Sequence, residues 1–335
     1  MRALLCEEFA PPRELVLKQS LPSLTPRKGE VVLSVSCCGI NFPDYLLVQG
    51  KYQVRPPRPF SPGSEVSGSV KSLGAGVSSV SIGDRVMCMI PHGGLADEVV
   101  VPAAEVIKIP DEMDDEQAAA FIITSATTYF ALSRRCKLLP GERLLVLGAS
   151  GGVGIAAIQL GVALGAEVIA AASSERKLEV CRNAGATHTI NYGKDGEGLK
   201  AGIARISGRR AGVDVVYDPV GGKLTQQAVR GLAMYGRLLV VGFAAGEIPK
   251  LPLNLLLLKQ ASAVGVFMGQ WAQRKPQEYQ LLLSELLEFF KRGDLRPVVT
   301  RVFPLSEGAA AIELLGGRQA TGKVVVRVAR ERARL

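Results

Sequence analysis

The chain of 335 residues is 47% hydrophobic and 21% charged, with 37 glycines and only 5% aromatic residues. That length is typical of two domains, and the hydrophobic fraction excludes a wholly disordered chain. The six cysteines form no CxxC pair and the chain does not begin like a secretory signal, so a disulfide scaffold is excluded and we expect reduced thiols inside a cell.

The first third of the chain is predicted to be an all-β unit. Short apolar segments such as 31–35, 66–70 and 99–101 are separated by clusters of Gly, Pro and Ser. Prolines at many places confine the strands to short pieces, as in a partly open barrel. From 115 to 133, helix-forming residues with apolar positions at helical spacing then predict helical structure.

Residues 125–264 are predicted to form a parallel α/β domain. Apolar strands without polar alternation are predicted at 143–148, 167–172, 187–191, 213–217 and 237–242, with helices at 152–164 and 175–184. Such strands predict a parallel sheet that helices cover on both faces. The charge-free stretch 144–166 is long enough for a membrane span, but a strand, a turn and a buried helix in series explain it as well.

Residues 265–335 are predicted to return to the first domain, which would then consist of 1–124 and 265–335. An amphipathic helix at 276–291 precedes strands at 298–303 and 323–328. Part of the net charge of +9 comes from the basic end of the chain, which contains Arg330, Arg332 and Arg334. We interpret this end as solvated, with a nucleic-acid contact as the alternative.

The segment 148–154 (GASGGVG) lies between a predicted strand and a predicted helix, which is the context of a dinucleotide-binding turn. Gly151 would let the backbone approach a pyrophosphate, and Gly154 would let the helix pack closely on the strand. The other residues predicted to bind the cofactor in this turn are Ser150, Gly152 and Val153. Ala149 departs from the first glycine of GxGxxG.

Two other interpretations of this turn are disfavoured, the second because His188 follows too soon for a hydrolase base and Gly154 extends the segment into the dinucleotide pattern. In the first interpretation, the segment is a tight turn that binds no ligand. In the second, Ser150 is the nucleophile of a G-x-S-x-G elbow in a hydrolase, and His188 is the only downstream histidine that is available as a base.

The end of the second strand indicates which dinucleotide is bound. NAD sites place Asp or Glu about 20 residues past the glycines, whereas Ser173 stands here, followed by Ser174, Arg176 and Lys177. A hydroxyl and cations would bind a 2′-phosphate that a carboxylate would repel. The sequence therefore predicts NADP(H). In the alternative, Glu175 binds the ribose and the cations are the solvated start of a helix.

Six motifs follow one another in the order of a known family: CGINFPD at 38–44, PGSE at 62–65, GASGGVG at 148–154, DPVGG at 218–222, VGF at 241–243 and GKVV at 322–325. Together they resemble the zinc-independent quinone oxidoreductases, the zeta-crystallin-like branch of the medium-chain dehydrogenase/reductases. The resemblance implies an α/β fold in which a Rossmann doubly wound parallel sheet is inserted into a GroES-like β-barrel catalytic domain. It also implies a cofactor in the cleft between the domains and a homodimer built through the Rossmann sheet.

The resemblance also implies roles for individual residues. Three match positions that bind the adenosine phosphate end of the cofactor: Lys177, Tyr192 and Arg318. Five match the lining of the nicotinamide pocket: Thr127, Gly242, Phe243, Phe267 and Gly269. Three match polar residues near the substrate: Asn41, Tyr45 and Tyr52. In the alternative, Phe243 and Phe267 are core aromatics and Tyr192 is an ordinary strand end.

No metal site is predicted. By motif, Asn41 stands where the zinc-dependent alcohol dehydrogenases of this superfamily have their first cysteine, and Ser64 stands where they have a histidine. No cysteine lies between Cys88 and Cys136, and the chain has two histidines, so the ligands that zinc needs are missing.

Without a metal, nothing in the sequence strongly polarises a simple alcohol or aldehyde, so an electrophilic acceptor is expected. Hydride from NADPH would reach a quinone or an α,β-unsaturated carbonyl, and Asn41, Tyr45 and Tyr52 would donate hydrogen bonds to the developing oxyanion. The predicted activity is therefore that of an NADPH:quinone oxidoreductase. Enoyl-thioester or alkenal reduction, and NADPH-regulated RNA binding of the zeta-crystallin type, are the alternatives.

The predicted partner is a small-molecule quinone or enone, with no membrane. We expect a cytoplasmic protein. The final tripeptide Ala333-Arg334-Leu335 loosely resembles a peroxisomal address and leaves that compartment as an alternative.

Overall fold

The computed structural model describes residues 1–193, 196–208 and 212–329 and divides the chain into two compact units. The first unit contains Met1–Ile123 together with the C-terminal segment from Val298, and the second unit is Thr124–Pro297. The arginines of the basic tail (Arg330, Arg332 and Arg334) and the tripeptide Ala333-Arg334-Leu335 lie outside the described residues.

The strands and helices of the described residues are given in chain order. The strands are β1 (Ala3–Leu5), β2 (Val16–Lys18), β3 (Glu30–Ile40), β4 (Glu65–Leu73), β5 (Arg85–Met89), β6 (Glu98–Pro102), β7 (Ile107–Lys108), β8 (Arg143–Leu147), β9 (Glu167–Ala172), β10 (His188–Asn191), β11 (Val213–Asp218), β12 (Leu232–Val240), β13 (Ser262–Gly265), β14 (Val299–Pro304) and β15 (Lys323–Arg327). The helices are α1 (Phe42–Leu47), α2 (Asp115–Ala118), α3 (Ile122–Tyr129), α4 (Gly152–Ala163), α5 (Glu175–Asn183), α6 (Leu199–Ser207), α7 (Gly222–Arg230), α8 (Leu253–Lys259), α9 (Met268–Arg274), α10 (Pro276–Arg292) and α11 (Gly308–Gly316).

A mainly antiparallel sheet with the strand order β14-β15-β3-β4-β5-β7 forms the first unit, and β6 also pairs with β3. The long strand β3 is the centre of this sheet, because its apolar residues are buried and it pairs with β4, β6 and β15. In the last of these pairs Val324 lies opposite Ile40, and Val326 lies opposite Cys38. The end of the chain therefore completes the sheet that the beginning of the chain starts.

A six-stranded parallel sheet with the order β10-β9-β8-β11-β12-β13 forms the second unit. In chain order this is 3-2-1-4-5-6, the order of a Rossmann fold. The predicted doubly wound sheet is therefore confirmed. The charge-free stretch 144–166 contains most of β8, the turn and α4, and in the described residues we find no helix that is long and apolar enough to span a membrane.

The helical segment predicted at 115–133 is helical in the structure but interrupted. α2 ends at Ala118, α3 begins at Ile122, and Phe130–Arg135 continues as a π-helix. The interruption lies where the chain is pressed against β3, because a Cβ on Gly39 would lie only 1.8 Å from the carbonyl oxygen of Ala119. Close packing on the sheet overrides the local helical preference there.

The second boundary between the units lies at Pro297, and not at 264 as the sequence suggested. The reason is α10, whose apolar face packs within the second unit. The ring centroid of Phe289 lies 5.3 Å from that of Tyr129, and Glu285 forms an ion pair with Arg134 at 2.7 Å. The return to the first unit therefore begins only after this helix.

A buried ion pair links the two separate stretches of the first unit. The Nζ atom of Lys323 lies 3.1 Å from Oε2 of Glu65, and the two side chains are 4% and 0% exposed. Lys323 also donates to the Oδ1 atom of Asn41 at 2.8 Å and to the carbonyl oxygen of Ile40 at 3.2 Å. The other carboxylate oxygen of Glu65 accepts the backbone N–H of Ile123 at 2.9 Å. Both buried charges are thus compensated, as burial requires.

Replacing Lys323 by methionine leaves the carboxylate of Glu65 buried without its cation. We expect Lys323→Met to lower the free energy of unfolding by about 3–5 kcal/mol, since losing one partner of a buried ion pair exposes the other to an uncompensated desolvation cost. Urea unfolding followed by circular dichroism measures the difference.

The matched control is Lys18→Met, because Lys18 pairs with Glu7 at 2.9 Å where both side chains are nearly half exposed. Such a pair contributes at most about 1 kcal/mol. Equal losses of stability in the two variants would contradict the role given to Lys323.

Candidate functional site

Most residues predicted to bind the cofactor follow the carboxyl ends of strands in the parallel sheet. Ser150–Gly154 follow β8, the segment Ser173–Lys177 follows β9, Tyr192 follows β10, Gly242 and Phe243 follow β12, and Phe267 and Gly269 follow β13. The fold therefore brings these segments to one edge of the sheet, where doubly wound folds bind their ligands. Of the remaining two, Thr127 lies half-buried on α3, and Arg318 lies in the first unit after α11, with a left-handed φ of 56°.

The glycines in the turn between β8 and α4 have different surroundings. A Cβ on Gly154 would lie 2.5 Å from the carbonyl oxygen of Ala149, so this glycine is required for α4 to pack on the strand. A Cβ on Gly151 would meet only the carbonyl oxygen of Gly148, at 3.5 Å, which is an ordinary contact distance, so the backbone there is not crowded. The left-handed φ of 58° belongs to Gly148, which explains why Ala149 is tolerated in the turn.

A cation lies beside the carboxyl end of β9. The half-buried Lys177 donates from Nζ to the hydroxyl of Ser173 at 3.4 Å, and burial, with the nearby charge of Arg176, lowers the pKa of Lys177. Glu175 pairs with Arg182 on its own helix. Ser174, which was predicted to bind the cofactor, has a different task, because its hydroxyl oxygen caps α5 by accepting the N–H of Lys177.

Sequence reasoning missed Asp218, which ends β11 and organises the next turn. Its side chain is 3% exposed, and Oδ1 accepts the backbone N–H groups of Val220 at 2.8 Å and Gly221 at 2.9 Å. A Cβ on Gly221 would lie 3.0 Å from the ring of Phe243, so the turn also fixes that aromatic side chain. An acidic residue at the end of an apolar strand was the available signal.

Asn41 does not have the free amide that was predicted for an oxyanion donor. Its Nδ2 atom donates to the carbonyl oxygen of Gly39 at 3.2 Å and to Oε2 of Glu65 at 3.1 Å, while its Oδ1 atom accepts from Lys323. Both amide hydrogens are therefore in use, and the residue is 6% exposed. In this geometry Asn41 anchors the buried ion pair.

The two predicted tyrosines have different surroundings. The ring of Tyr45 fills the space beside Gly316, where a Cβ would lie 2.2 Å from its Cε2 atom, and it packs against the core of the first unit. Tyr52 packs half-buried against a small cluster that includes Phe60. Burial raises the pKa of Tyr52, and the nearby charge of Asp44 raises it further. Tyr52 thus lies close enough to Asp44 for the charge of that carboxyl to affect its pKa.

Sequence reasoning also missed the contact between Asp44 and Ser64. Asp44 is 1% exposed, its Oδ2 atom accepts the N–H of Asn41 at 2.8 Å, and its Oδ1 atom accepts the N–H of Gly63 and the hydroxyl of Ser64, both at 3.3 Å. Burial raises the pKa of Asp44 to about 6. The available signal was Asp44 three residues after Asn41 in CGINFPD.

The hydrolase alternative does not fit the sheet. Ser150 lies in the turn after the carboxyl end of β8, whereas His188 begins β10 at the amino edge. The Nε2 atom of His188 lies 2.8 Å from a carboxylate oxygen of Glu167, which begins the neighbouring strand. The only histidine downstream of Ser150 is therefore on the opposite edge of the sheet and is not a base for it.

Comparisons with known proteins match both units. Residues 27–111 match the family described as the alcohol dehydrogenase GroES-like domain, and residues 152–288 match the family described as zinc-binding dehydrogenase. The quinone oxidoreductase-like protein 2 of Bos taurus is 39% identical over 97% of this chain and 92% of its own length. The predicted combination of a GroES-like domain and a Rossmann sheet is confirmed.

Two solved structures are similar over nearly the whole chain. The quinone oxidoreductase of Thermus thermophilus, described with its NADPH complex, has a TM-score of 0.82 and 34% identity, covering 98% of this chain and 100% of that chain. The Escherichia coli quinone oxidoreductase, complexed with NADPH, has a TM-score of 0.89 and 27% identity, with the same coverage of 98% and 100%.

One matched family is described as zinc-binding, but the residues here do not fit zinc. In the part of the chain that the structure describes, no three His, Cys, Asp or Glu side chains converge as ligands. Where the alcohol dehydrogenases have ligands, Asn41 offers an amide and Ser64 a hydroxyl, and the Lys323 ammonium is 2.8 Å from Asn41 Oδ1. That ammonium would repel a metal cation, and zinc prefers thiolate, imidazole and carboxylate ligands.

The glycine turn predicts that two single-methyl substitutions have different effects. Gly154→Ala forces its Cβ against Ala149, and we expect it to cost about 1–3 kcal/mol of stability, as overpacking does. Gly151→Ala places its Cβ at an ordinary contact distance and at an ordinary φ of −79°, so it should lower the thermal unfolding midpoint less than Gly154→Ala does. Calorimetric unfolding of both variants makes the comparison, and the reverse order would contradict the geometry.

Proposed function

Because the chain belongs to the quinone oxidoreductase family of the medium-chain dehydrogenase/reductases, we propose that it is an NADPH-dependent, zinc-independent reductase of quinones or α,β-unsaturated carbonyls. The observation that carries the proposal is the carboxyl edge of the parallel sheet. There the open turn at Gly151 follows β8, and the cation of Lys177 follows the neighbouring strand β9. When bound, NADPH supplies the hydride.

The turn before α4 would hold the pyrophosphate. Gly151 is the N-cap of α4, the first turn of this helix carries no acidic side chain, and no Cβ blocks the approach to Gly151. The N-terminus of a helix offers free N–H groups and a partial positive charge to an anion. These features favour a phosphate group over a neutral ligand.

The residues after β9 would bind the 2′-phosphate that distinguishes NADPH from NADH. Ser173 and Lys177 already form one hydrogen-bonded pair, and Arg176 adds an exposed cation next to it. The carboxylate of Glu175, which could bind a ribose hydroxyl in NADH, is paired with Arg182. This arrangement favours the phosphorylated dinucleotide.

The family resemblance extends the site to further residues, whose roles belong to the proposal. Thr127, Gly242, Phe243, Phe267 and Gly269 would line the nicotinamide site, and Tyr192 and Arg318 would contact the adenosine phosphate end. Tyr52 would face the acceptor, while Asn41 and Tyr45 support it through packing and hydrogen bonds. An acceptor that is electrophilic by itself suits this set, because hydrogen-bond donors suffice for the oxyanion it forms.

The direct test of the proposed function is NADPH oxidation against a panel of quinones, enones, enals and enoyl thioesters, with NADH as the control. We expect turnover of quinones or enones with NADPH. Turnover of enoyl thioesters alone would favour the alternative reductase. Failure to oxidise NADPH with any acceptor would contradict the proposal.

Lys177 should determine the choice between the two dinucleotides. We expect Lys177→Gln to raise the Kd for NADPH by roughly tenfold to a hundredfold, since hydrogen bonds to charged groups contribute about 1.5–3 kcal/mol. The Kd for NADH should change little, because NADH lacks the 2′-phosphate. Isothermal titration calorimetry measures both values.

Arg205→Gln is the matched control, since Arg205 lies on α6, outside the residues that follow β9, and forms an ion pair with Glu197. It should leave the preference for NADPH intact. An unchanged ratio of the two Kd values in Lys177→Gln would contradict the assignment.

A homodimer through the Rossmann sheet is also part of the proposal. The edge strand β13 pairs only with β12 among the described strands, and Ser262 and Ala263 in it are exposed. On the preceding helix α8, three leucines are more than two-thirds exposed: Leu253 at 74%, Leu257 at 77% and Leu258 at 70%. An apolar helix beside an open strand edge favours a second copy of the chain as the cover.

Leu257→Asp should disrupt this dimer, because a carboxylate would be buried in an apolar contact. We expect the variant to sediment as a monomer at concentrations where the unmodified chain sediments as a dimer. Leu281→Asp is the control, since Leu281 is 64% exposed on α10. A monomeric unmodified chain, or a dimeric Leu257→Asp, would contradict this part of the proposal.

A further inference from the structure

The first unit contains a buried carboxyl, that of Asp44, beside the ion pair of Glu65 and Lys323. Among the residues that the structure describes, Lys323 donates directly to Glu65 and to Asn41, whereas Asp44 accepts from neutral donors, namely the backbone of Asn41 and Gly63 and the hydroxyl of Ser64. Asp44 is 1% exposed. A buried carboxylate held by neutral donors alone takes up a proton more readily than one paired with a cation.

Ser64 connects this carboxyl to the surface of the first unit. The side chains of Asn41, Asp44, Glu65 and Lys323 are all buried, whereas Ser64 is half-buried. Its hydroxyl lies 3.3 Å from Oδ1 of Asp44, and a hydroxyl both donates and accepts hydrogen bonds. Among the residues that hydrogen-bond the Asp44 side chain, Ser64 is thus the one whose side chain is partly open to solvent.

We propose that Asp44 and Ser64 form a proton relay that protonates the reduced acceptor. The inference rests on the proposed function and adds the source of the proton. It also replaces the direct donation from Asn41 that the sequence suggested, since both hydrogens of that amide are engaged.

Reduction of a quinone or enone by hydride leaves an oxyanion on the acceptor. The O–H bond of Ser64 breaks and a new O–H bond forms on the acceptor, while the proton of the Asp44 carboxyl passes to the Ser64 oxygen and restores its hydroxyl. Asp44 is left as a carboxylate, and it regains a proton from solvent through Ser64.

The charged and titratable groups around Asp44 agree with this role. Burial raises the pKa of Asp44 to about 6, and this effect outweighs the nearby charge of Lys323, which lowers the pKa. Glu65 is neutralised by its own contact with Lys323. Burial raises the pKa of Tyr52 and also that of Cys38, so both stay protonated near neutral pH. Asp44 is therefore a buried group whose raised pKa suits a proton donor.

The test is the pH profile of kcat for NADPH-dependent reduction of an enone, compared between the unmodified chain and Ser64→Ala. Protonated Asp44 is the donor, so kcat of the unmodified chain should fall as pH rises through about 6. We expect Ser64→Ala to lower kcat about tenfold or more near pH 5 and less than about twofold near pH 8, within the range of general acid catalysis. Its profile should be nearly flat.

Three further variants separate the relay from a structural effect. Ser64→Thr keeps the hydroxyl and should restore the profile of the unmodified chain. Ser69→Ala, on strand β4, which begins directly after Ser64, lies outside the network and should also keep that profile. Tyr52→Phe tests the rival proton source and should keep the pH dependence. The Kd for NADPH should be the same in all of them.

The outcomes distinguish the relay from the proposed function. A Ser64→Ala variant with the unmodified profile and rate, or a Tyr52→Phe variant that alone loses the pH dependence, would overturn the relay and leave the proposed function standing. If the unmodified chain reduced no quinone or enone at any pH, both would be overturned.

Discussion

The buried ammonium of Lys323 is the interaction on which the first unit depends. It joins β15, near the end of the chain, to Glu65 and Asn41 in the first third, and each of these partners is almost fully buried. A cation at this place is costly unless its partners are fixed, so the network also fixes their geometry. The same charge lies 2.8 Å from Asn41, which stands by motif where zinc-dependent alcohol dehydrogenases have a cysteine ligand, and an ammonium there would repel a metal cation.

The second unit depends on a different constraint. Its strands are parallel, so their carboxyl ends lie at the same edge of the sheet. β8 and β9 are neighbours, so the open turn at Gly151 and the cation at Lys177 come to the same edge. In the proposed reductase this edge binds the phosphates of NADPH, and the first unit supplies protons and packing. The acceptor must then be reactive by itself, because polar donors replace the Lewis acid of a metal enzyme.

Much of the second unit could be predicted from sequence, since uniformly apolar strands and the glycine turn depend on local pattern. The break between α2 and α3 could not, because it comes from the approach of Ala119 to Gly39, far away in the chain. The contact between Lys323 and the side-chain oxygen of Asn41 was hidden for the same reason, since the two residues lie 282 positions apart in the chain. α8 has no buried residue, so its sequence lacks the amphipathic pattern from which a helix could have been predicted.

The most direct test of the central claim measures metal content and turnover on the same sample. Purified protein is treated with a strong chelator, dialysed, analysed for zinc and assayed for NADPH-dependent quinone reduction. The buried ammonium predicts zinc far below one equivalent per chain and turnover that the chelator leaves unchanged. Zinc bound at one equivalent, with turnover that is lost on chelation and regained on adding zinc, would contradict the account.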